Sequence, residues 1–174
     1  MEPGPCPVCG FDPRTVSPAD AAVAVRSYPR RFRALLVGPD GDEERTPEDL
    51  VLRRPPGGGW SALEHAAWVA EVLALAADAL ERIRLQDHPS VTVEPPAPTA
   101  GATEPGAVLG RMEEEAERLA QSIGRVDAHD WKRVGRLPDG GEASALHVAR
   151  HAVHQGFHHL RETDRVLSQL RGRG

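Results

Sequence analysis

The sequence has no long hydrophobic run and few aromatic residues. No stretch approaches the roughly 18 consecutive apolar residues that a membrane-spanning helix requires, so no membrane partner is expected. The N-terminus lacks the charged and apolar regions of a signal peptide, which favours a cytoplasmic location. Aromatic residues make up 4% of the chain, whereas alanine is abundant. This composition suits closely packed helices better than sheets.

An excess of positive charge is also absent. The 21 Lys and Arg residues are outnumbered by 26 Asp and Glu residues, which gives a formal net charge of −5. Nucleic-acid-binding domains usually carry a basic surface, so we expect no nucleic-acid partner. The 40% hydrophobic and 27% charged residues are typical of a globular protein, and 174 residues suit one domain. A small-molecule substrate is compatible with this composition.

Cysteine is rare, and both copies lie in one N-terminal motif, Cys6-Pro7-Val8-Cys9-Gly10. In a reducing compartment a lone CxxC motif is seldom a structural disulfide. A turn after the first cysteine can aim both thiolates at one point, which would make the motif half of a zinc site. Histidines from elsewhere would then complete the site. A redox pair and a turn without any ligand are the alternative interpretations.

Helix-start signals and apolar spacing predict four long helices. Serine followed by an acidic residue three positions later marks two of the starts, and proline at the first helical position marks two. The predicted helices run from Ser17 to about Val37, from Ser61 to about Leu85, from Pro105 to about Val126 and from about Ala143 to Leu170. Together they predict an all-α four-helix bundle over residues 17–174, preceded by a CxxC segment in residues 1–16.

The connections carry weaker signals. Pro29 should kink the first helix, and a short helical turn is predicted at Thr46-Pro47-Glu48-Asp49. Residues 87–103 are rich in proline and predict a loop. Within that loop Val91-Thr92-Val93 could form a strand fragment, but the sequence shows no partner for it. A second loop is predicted at Pro138-Asp139-Gly140-Gly141.

Histidine is concentrated in the fourth predicted helix, at positions 147, 151, 154, 158 and 159. The first four are spaced so that, at about 100° per residue, their side chains lie within roughly 60° of one another on a helix. Imidazole rings are unusual in a core because each brings a donor and an acceptor that need partners. This stripe of four histidines, at positions 147, 151, 154 and 158, therefore predicts metal binding or proton transfer. Two HxxxH pairs, His147/His151 and His154/His158, could each chelate one ion.

A third ligand would have to come from another helix, and His65 is the best candidate. It shares a face of the second helix with Trp68 and Val72, which is otherwise apolar. Three nitrogen ligands would leave a position for water or substrate, as in catalytic sites. Alternatively, the stripe is a hydrogen-bonded polar seam or a pH-sensitive dimer surface without metal. His159 points away from the stripe, so we expect it at the surface or just outside the ligands.

Three stretches resemble the DinB/YfiT-like family, and the resemblance covers most of the chain from about Ser17 to Leu170. The first is the Trp-Ser opening of the second helix, the second is an HxxxHHL segment, and the third is the N-terminal CPVCGFD. In full, the first two read Trp60-Ser61-Ala62-Leu63-Glu64-His65-Ala66-Ala67-Trp68 and His154-Gln155-Gly156-Phe157-His158-His159-Leu160. The resemblance implies a compact four-helix bundle whose members commonly hold a divalent metal with three histidines.

Within this resemblance, His154 and His158 match the family's HxxxH ligand pair. The position of the third family ligand is occupied here by Trp68. An indole cannot replace an imidazole because its N–H only donates. The resemblance therefore implies either that His65, one turn earlier, supplies the third ligand or that the site has lost one.

Other ligand sets remain open at this point. A site shifted by one turn would recruit His151 or Glu162 instead. Zinc could also be held by Cys6 and Cys9 together with two histidines of the stripe. That Cys₂His₂ set would be closed and structural rather than catalytic.

The activity implied by the resemblance is a metal-dependent transferase or isomerase that uses a low-molecular-weight thiol such as mycothiol or bacillithiol. Zinc or nickel would bind the thiol and stabilise it as thiolate. His151 would be the general base. Trp68 and Arg150 are expected to line the substrate pocket, with Arg150 or Arg161 binding a carboxylate. The alternatives are a non-catalytic metalloprotein and a metal-free pH-responsive interaction module, and a homodimer is compatible with all three.

Overall fold

The computed structural model describes residues 4–38, 45–98 and 104–172. The start of the predicted CxxC segment (residues 1–3), the end of the predicted first loop (99–103) and residues 173–174 lie outside it. Among the described residues the chain forms five α-helices and two strands. In chain order they are α1 (Pro18–Leu36), α2 (Glu48–Leu52), α3 (Ala62–Leu85), α4 (Pro105–Gly124), β1 (Val134–Arg136), β2 (Glu142–Ser144) and α5 (Ala145–Leu170). The predicted four-helix bundle is confirmed, with α2 as a short addition.

Local capping explains where the helix that carries His65 begins. The Ser61 hydroxyl accepts a hydrogen bond from the Glu64 N–H at 3.2 Å, and the Glu64 carboxylate accepts one from the Ser61 N–H at 2.7 Å. This reciprocal capping box satisfies two backbone donors that a helix start leaves unpaired. Arg54 forms an ion pair with the same carboxylate, which is 6% exposed. The start of α3 is thus fixed at Ala62, three residues before His65.

The bundle does not follow a simple up-and-down order. Helices α1 and α3 each pack against both α4 and α5, so α1 and α3 lie at opposite corners. Helices α3 and α4 run in the same direction, as two ion pairs between them show. Glu71 of α3 pairs with Arg111 of α4, and the later residue Asp78 of α3 pairs with the later residue Arg118 of α4. With 24 residues, α3 is about 36 Å long at 1.5 Å per residue. The chain between α3 and α4 must therefore run back along the bundle.

The predicted second loop, residues 138–141, forms the turn of a β-hairpin that leads into α5. Strands β1 and β2 are antiparallel. The expected strand at residues 91–93 does not form, but the Val91 N–H donates to the Arg136 carbonyl at 2.9 Å, beside an isolated bridge between Ser90 and Arg136. A Cβ at Gly135 would lie 2.8 Å from the Val91 side chain, so only glycine allows this approach. Helix α5 begins at Ala145 rather than Ala143, since β2 extends to Ser144. The Ser144 hydroxyl then caps α5.

The core consists mainly of small and aliphatic side chains. Helix α3 contributes more of them than any other described element, as its apolar sequence predicts. Helix α1 continues through Pro29 to Leu36, so the proline does not end it. Within the described parts of the chain, no helix combines the length and apolar character needed to cross a bilayer.

Candidate metal centre

The N-terminal segment, residues 4–16, turns back on itself so that both cysteines face α5. The Cys6 N–H donates to the Phe11 carbonyl at 2.8 Å, and the Gly10 N–H donates to the Cys6 carbonyl at 2.8 Å. Gly10 adopts a φ of +73°, which favours glycine at the end of the turn. Cys9 is 6% exposed, whereas Cys6 is half-buried.

Two arginines of α5 hold this segment in place. Arg161 donates to the Cys9 carbonyl at 2.8 Å. Arg150 donates to the carbonyls of Arg14 and Val16, each at 2.9 Å. We expect Arg150 or Arg161 to bind a carboxylate, and that role stays a prediction. The hydrogen bonds of both residues to backbone carbonyls of the N-terminal segment could not be predicted from the sequence, because that segment lies far away along the chain.

An aromatic contact adds to this attachment. The Phe11 ring stacks on the His154 ring with centroids 5.9 Å apart and an interplanar angle of 6°. It also packs against Phe157 at 5.1 Å. Phe11 therefore covers one face of a histidine in the predicted ligand pair.

The turn and the helix bring four metal-binding side chains together. One ligand atom from each of Cys6, Cys9, His154 and His158 lies within 4.8 Å of the others, in the single such group among the described residues. The Cys6 sulfur is 3.8 Å from Nδ1 of His158. In a tetrahedral zinc site with Zn–S of about 2.3 Å and Zn–N of about 2.0 Å, ligand atoms lie roughly 3.3 to 3.8 Å apart. A small shortening of the distances between the four ligand atoms would therefore place them at the corners of a zinc tetrahedron.

The protonation chemistry of the group also suits a metal. Nε2 of His154 is buried and has no hydrogen-bond partner within the described chain, and burial lowers the pKa of this imidazole. A neutral, unpaired imidazole nitrogen is the form that binds metal. The backbone N–H of Cys9 lowers the pKa of the Cys6 thiol, whereas burial raises the pKa of the Cys9 thiol. Two thiolates and two imidazoles form a ligand set typical of zinc.

His65 lies in a different cluster. Its Nδ1 is 2.8 Å from Nδ1 of His159, and each of the two residues is 8% exposed. The prediction that His159 lies at the surface is wrong, because α5 turns this side toward α3 and the bundle interior. The structure does not bring His65 into the group with His154 and His158. Burial lowers the pKa of His65 to about 4 and that of His159 to about 3, so both rings are neutral at pH 7.

Trp68 belongs to this second cluster as well. Its ring lies 5.1 Å from that of Trp60 and 5.8 Å from that of His159, and its Nε1 is buried without a partner among the described residues. Arg150, the other residue expected in a substrate pocket, precedes His159 by about 13 Å along the helix axis at 1.5 Å per residue. Trp68 therefore packs beside His159, whereas the Arg150 guanidinium binds the N-terminal segment.

The remaining candidate residues lie outside the four-residue group. His151 Nε2 is buried, 3.7 Å from the Glu94 carboxylate, and its ring lies 6.2 Å from that of His147. Burial, with smaller effects of His147 and His154, lowers the pKa of His151 to about 4. A general base works best with a pKa near the working pH, so this environment does not favour the predicted role. Glu162 forms an ion pair with Arg165 at 2.6 Å.

Comparisons with known proteins agree with the fold and identify the family. A family model described as the DinB superfamily matches residues 29–163. A solved structure of YfiT from Bacillus subtilis is described as a probable metal-dependent hydrolase with an unusual four-helix bundle topology. It is 14% identical, aligns with a TM-score of 0.74, and the alignment covers 94% of this chain and 95% of that chain. No curated protein matches the sequence. The predicted resemblance is thereby confirmed for fold and family.

Proposed function

The chain belongs to the DinB superfamily, and we propose that it is a zinc protein whose ion is held by Cys6, Cys9, His154 and His158. The observation that carries this proposal is the approach of all four ligand atoms to within 4.8 Å of one another. The unpaired, buried Nε2 of His154 supports it, because an imidazole nitrogen buried without a partner is costly unless something binds there.

In this proposal the zinc is structural. Four protein ligands complete a tetrahedron and leave no position for water or substrate. The ion would join residues 152 positions apart in the sequence and so fasten the N-terminal segment to α5. Stability gained in this way is binding free energy converted into folding free energy.

A second candidate function is catalysis at the same ion. Here the protein is a metal-dependent transferase or isomerase that uses a low-molecular-weight thiol of the mycothiol or bacillithiol type. One observation favours it: Cys6 is half-buried while Cys9 is buried, so an external thiol could replace Cys6 as a ligand. Hydrolysis of the kind named for YfiT would need the same vacancy, filled by water.

Metal content measured on tag-free protein tests both candidates. We expect about one equivalent of zinc in the wild type and loss of zinc in the Cys6→Ser/Cys9→Ser and His154→Gln/His158→Gln variants. The matched control is His147→Gln/His151→Gln, which removes the other HxxxH pair of α5 and should keep the zinc. Far-ultraviolet circular dichroism would show that each variant folds.

The pattern of loss tests the ligand set. Retention of zinc without the cysteines would contradict the site on which both candidates rest. Where zinc is lost in both variants, cobalt-substituted protein separates the candidates, since an added thiol changes the thiolate-to-cobalt absorption only if a ligand position is exchangeable. A wild type without metal, even after loading, would contradict both candidates and leave the metal-free interaction module.

A further inference from the structure

Cys6 and Cys9 are the only two cysteines in the chain, and their sulfur atoms belong to the group of ligand atoms that lie within 4.8 Å of one another. We propose that this pair is a redox-reactive site, at which a peroxide or a small disulfide joins the two sulfurs, expels the zinc and releases the N-terminal segment from α5. The inference rests on the proposed zinc site and adds a modification and its consequence to it.

Access to the pair is asymmetric. The turn lies at the surface, where Val8, between the two cysteines, is 66% exposed. Cys6 is half-buried, whereas Cys9 is 6% exposed beneath the turn. An oxidant therefore meets the Cys6 sulfur first, and Cys9 is positioned to react with the product.

The reaction balances with a peroxide as the two-electron oxidant. The Cys6 thiolate attacks one peroxide oxygen, the O–O bond breaks, and Cys6 becomes a sulfenic acid while hydroxide leaves and is protonated to water. The Cys9 thiolate then attacks the Cys6 sulfur, the S–O bond breaks, and a second water forms with the disulfide. With a small disulfide as oxidant, two successive exchanges release two thiols instead.

Loss of the metal follows from the chemistry of the ligands. The thiolate is the metal ligand, and a disulfide sulfur does not replace it. His154 and His158 alone would supply two of the four positions in the tetrahedron. The segment would then lose its attachment through zinc and keep weaker contacts, such as the arginine hydrogen bonds and the Phe11 stacking, so its backbone should open more often.

The peptide bond after Arg14 offers a readout of that opening. Arg14 lies in the N-terminal segment, its side chain is 52% exposed, and its carbonyl is held by Arg150. A protease must pull this backbone away from α5 before it can cleave. Trypsin cleavage after Arg14 should therefore be slow in the reduced zinc protein and fast after oxidation.

The test uses the reduced, zinc-loaded full chain treated with hydrogen peroxide, and in parallel with bis(2-hydroxyethyl) disulfide. A chromogenic chelator follows zinc release, intact mass follows the loss of two hydrogens, and limited trypsin digestion follows cleavage after Arg14. We expect release of one zinc for each intramolecular disulfide, faster cleavage, and reversal of all three by dithiothreitol and zinc. The His147→Gln/His151→Gln variant should behave like the wild type.

Several results would overturn the inference. Zinc that stays bound while the cysteines remain reduced would refute the redox step but leave the zinc site intact. Oxidation to sulfinic acid or to disulfides between molecules would refute the pairing of Cys6 with Cys9. Zinc release with unchanged cleavage after Arg14 would refute release of the segment. A wild type that holds no zinc before oxidation would instead show that the proposed function itself fails.

Discussion

Gly156 lies on α5 between the two ligand histidines, at the closest approach of α5 to α1. A Cβ at this position would lie 2.2, 2.5 and 2.7 Å from three atoms of the Tyr28 ring. The ring cannot easily move, because Tyr28 is 1% exposed and its hydroxyl donates to the Val153 carbonyl at 2.6 Å. Gly156→Ala should therefore force the two helices apart.

Two effects of opposite sign decide the magnitude. In a helix interior, replacing glycine by alanine stabilises by about 0.5–1 kcal/mol through backbone entropy. Overpacking a tight core costs about 1–3 kcal/mol, and contacts this short favour the upper part of that range. We expect a net loss of about 1–2 kcal/mol in the free energy of unfolding for Gly156→Ala.

Gly110→Ala in α4 is the matched control, since nothing lies within 4 Å of a Cβ there. It should gain about 0.5–1 kcal/mol from helix propensity alone. Urea denaturation at pH 7, on zinc-loaded protein and again with chelator, measures both variants against the wild type. If Gly156→Ala proved as stable as the wild type, the close packing of α1 on α5 would be wrong.

Three further predictions concern the histidine cluster, the start of α3 and the N-terminal segment. His65 stays neutral in the folded state while the unfolded chain binds protons below pH 6.5, so the chelated protein should lose stability from pH 6.5 toward pH 4. His65→Gln should reduce the loss between pH 7 and pH 5 by up to about 2 kcal/mol, and an unchanged loss in urea titrations at both pH values would refute burial of this ring. Ser61→Ala removes the hydroxyl that caps the Glu64 N–H and should cost about 1 kcal/mol by thermal or urea unfolding; no change would mean that the cap contributes nothing. Arg161→Ala removes the hydrogen bond to the Cys9 carbonyl and should speed trypsin cleavage of the N-terminal segment, whereas an unchanged rate would show that this bond does not hold it.

The helices could be predicted because their signals are local. The capping box at Ser61 and Glu64 and the apolar spacing of each helix act within a few residues, and the structure reproduces them. The hairpin could not be predicted in the same way, because β1 and β2 have three residues each. Strands this short show no alternating pattern, and their stability depends on pairing with residue 91 far back in the chain.

The partners of the histidines depended on helix order, which local sequence does not specify. From the sequence, His65 is the best third ligand for the histidine stripe because both lie on inward faces of their helices. In the bundle, α3 meets α5 through His159, about 100° around the helix from His158. Trp68, which fills the position of a family ligand, packs in the same cluster.

The cysteine half of the candidate site shows a different limit. Ligand chemistry alone put Cys₂His₂ among the alternatives, since a CxxC turn needs two more ligands to form a zinc site. No spacing rule could choose that set, because contacts such as those of Arg150, Arg161 and Phe11 bring the turn to the helix. These contacts depend on tertiary structure and have no signature in the local sequence.

X-ray absorption spectroscopy on the zinc-loaded, tag-free protein tests the central claim most directly. The account predicts zinc bound by two sulfurs at about 2.3 Å and two imidazole nitrogens at about 2.0–2.1 Å, with no water. A first shell of nitrogen and oxygen only would contradict it, because Cys6 and Cys9 would then not bind the ion.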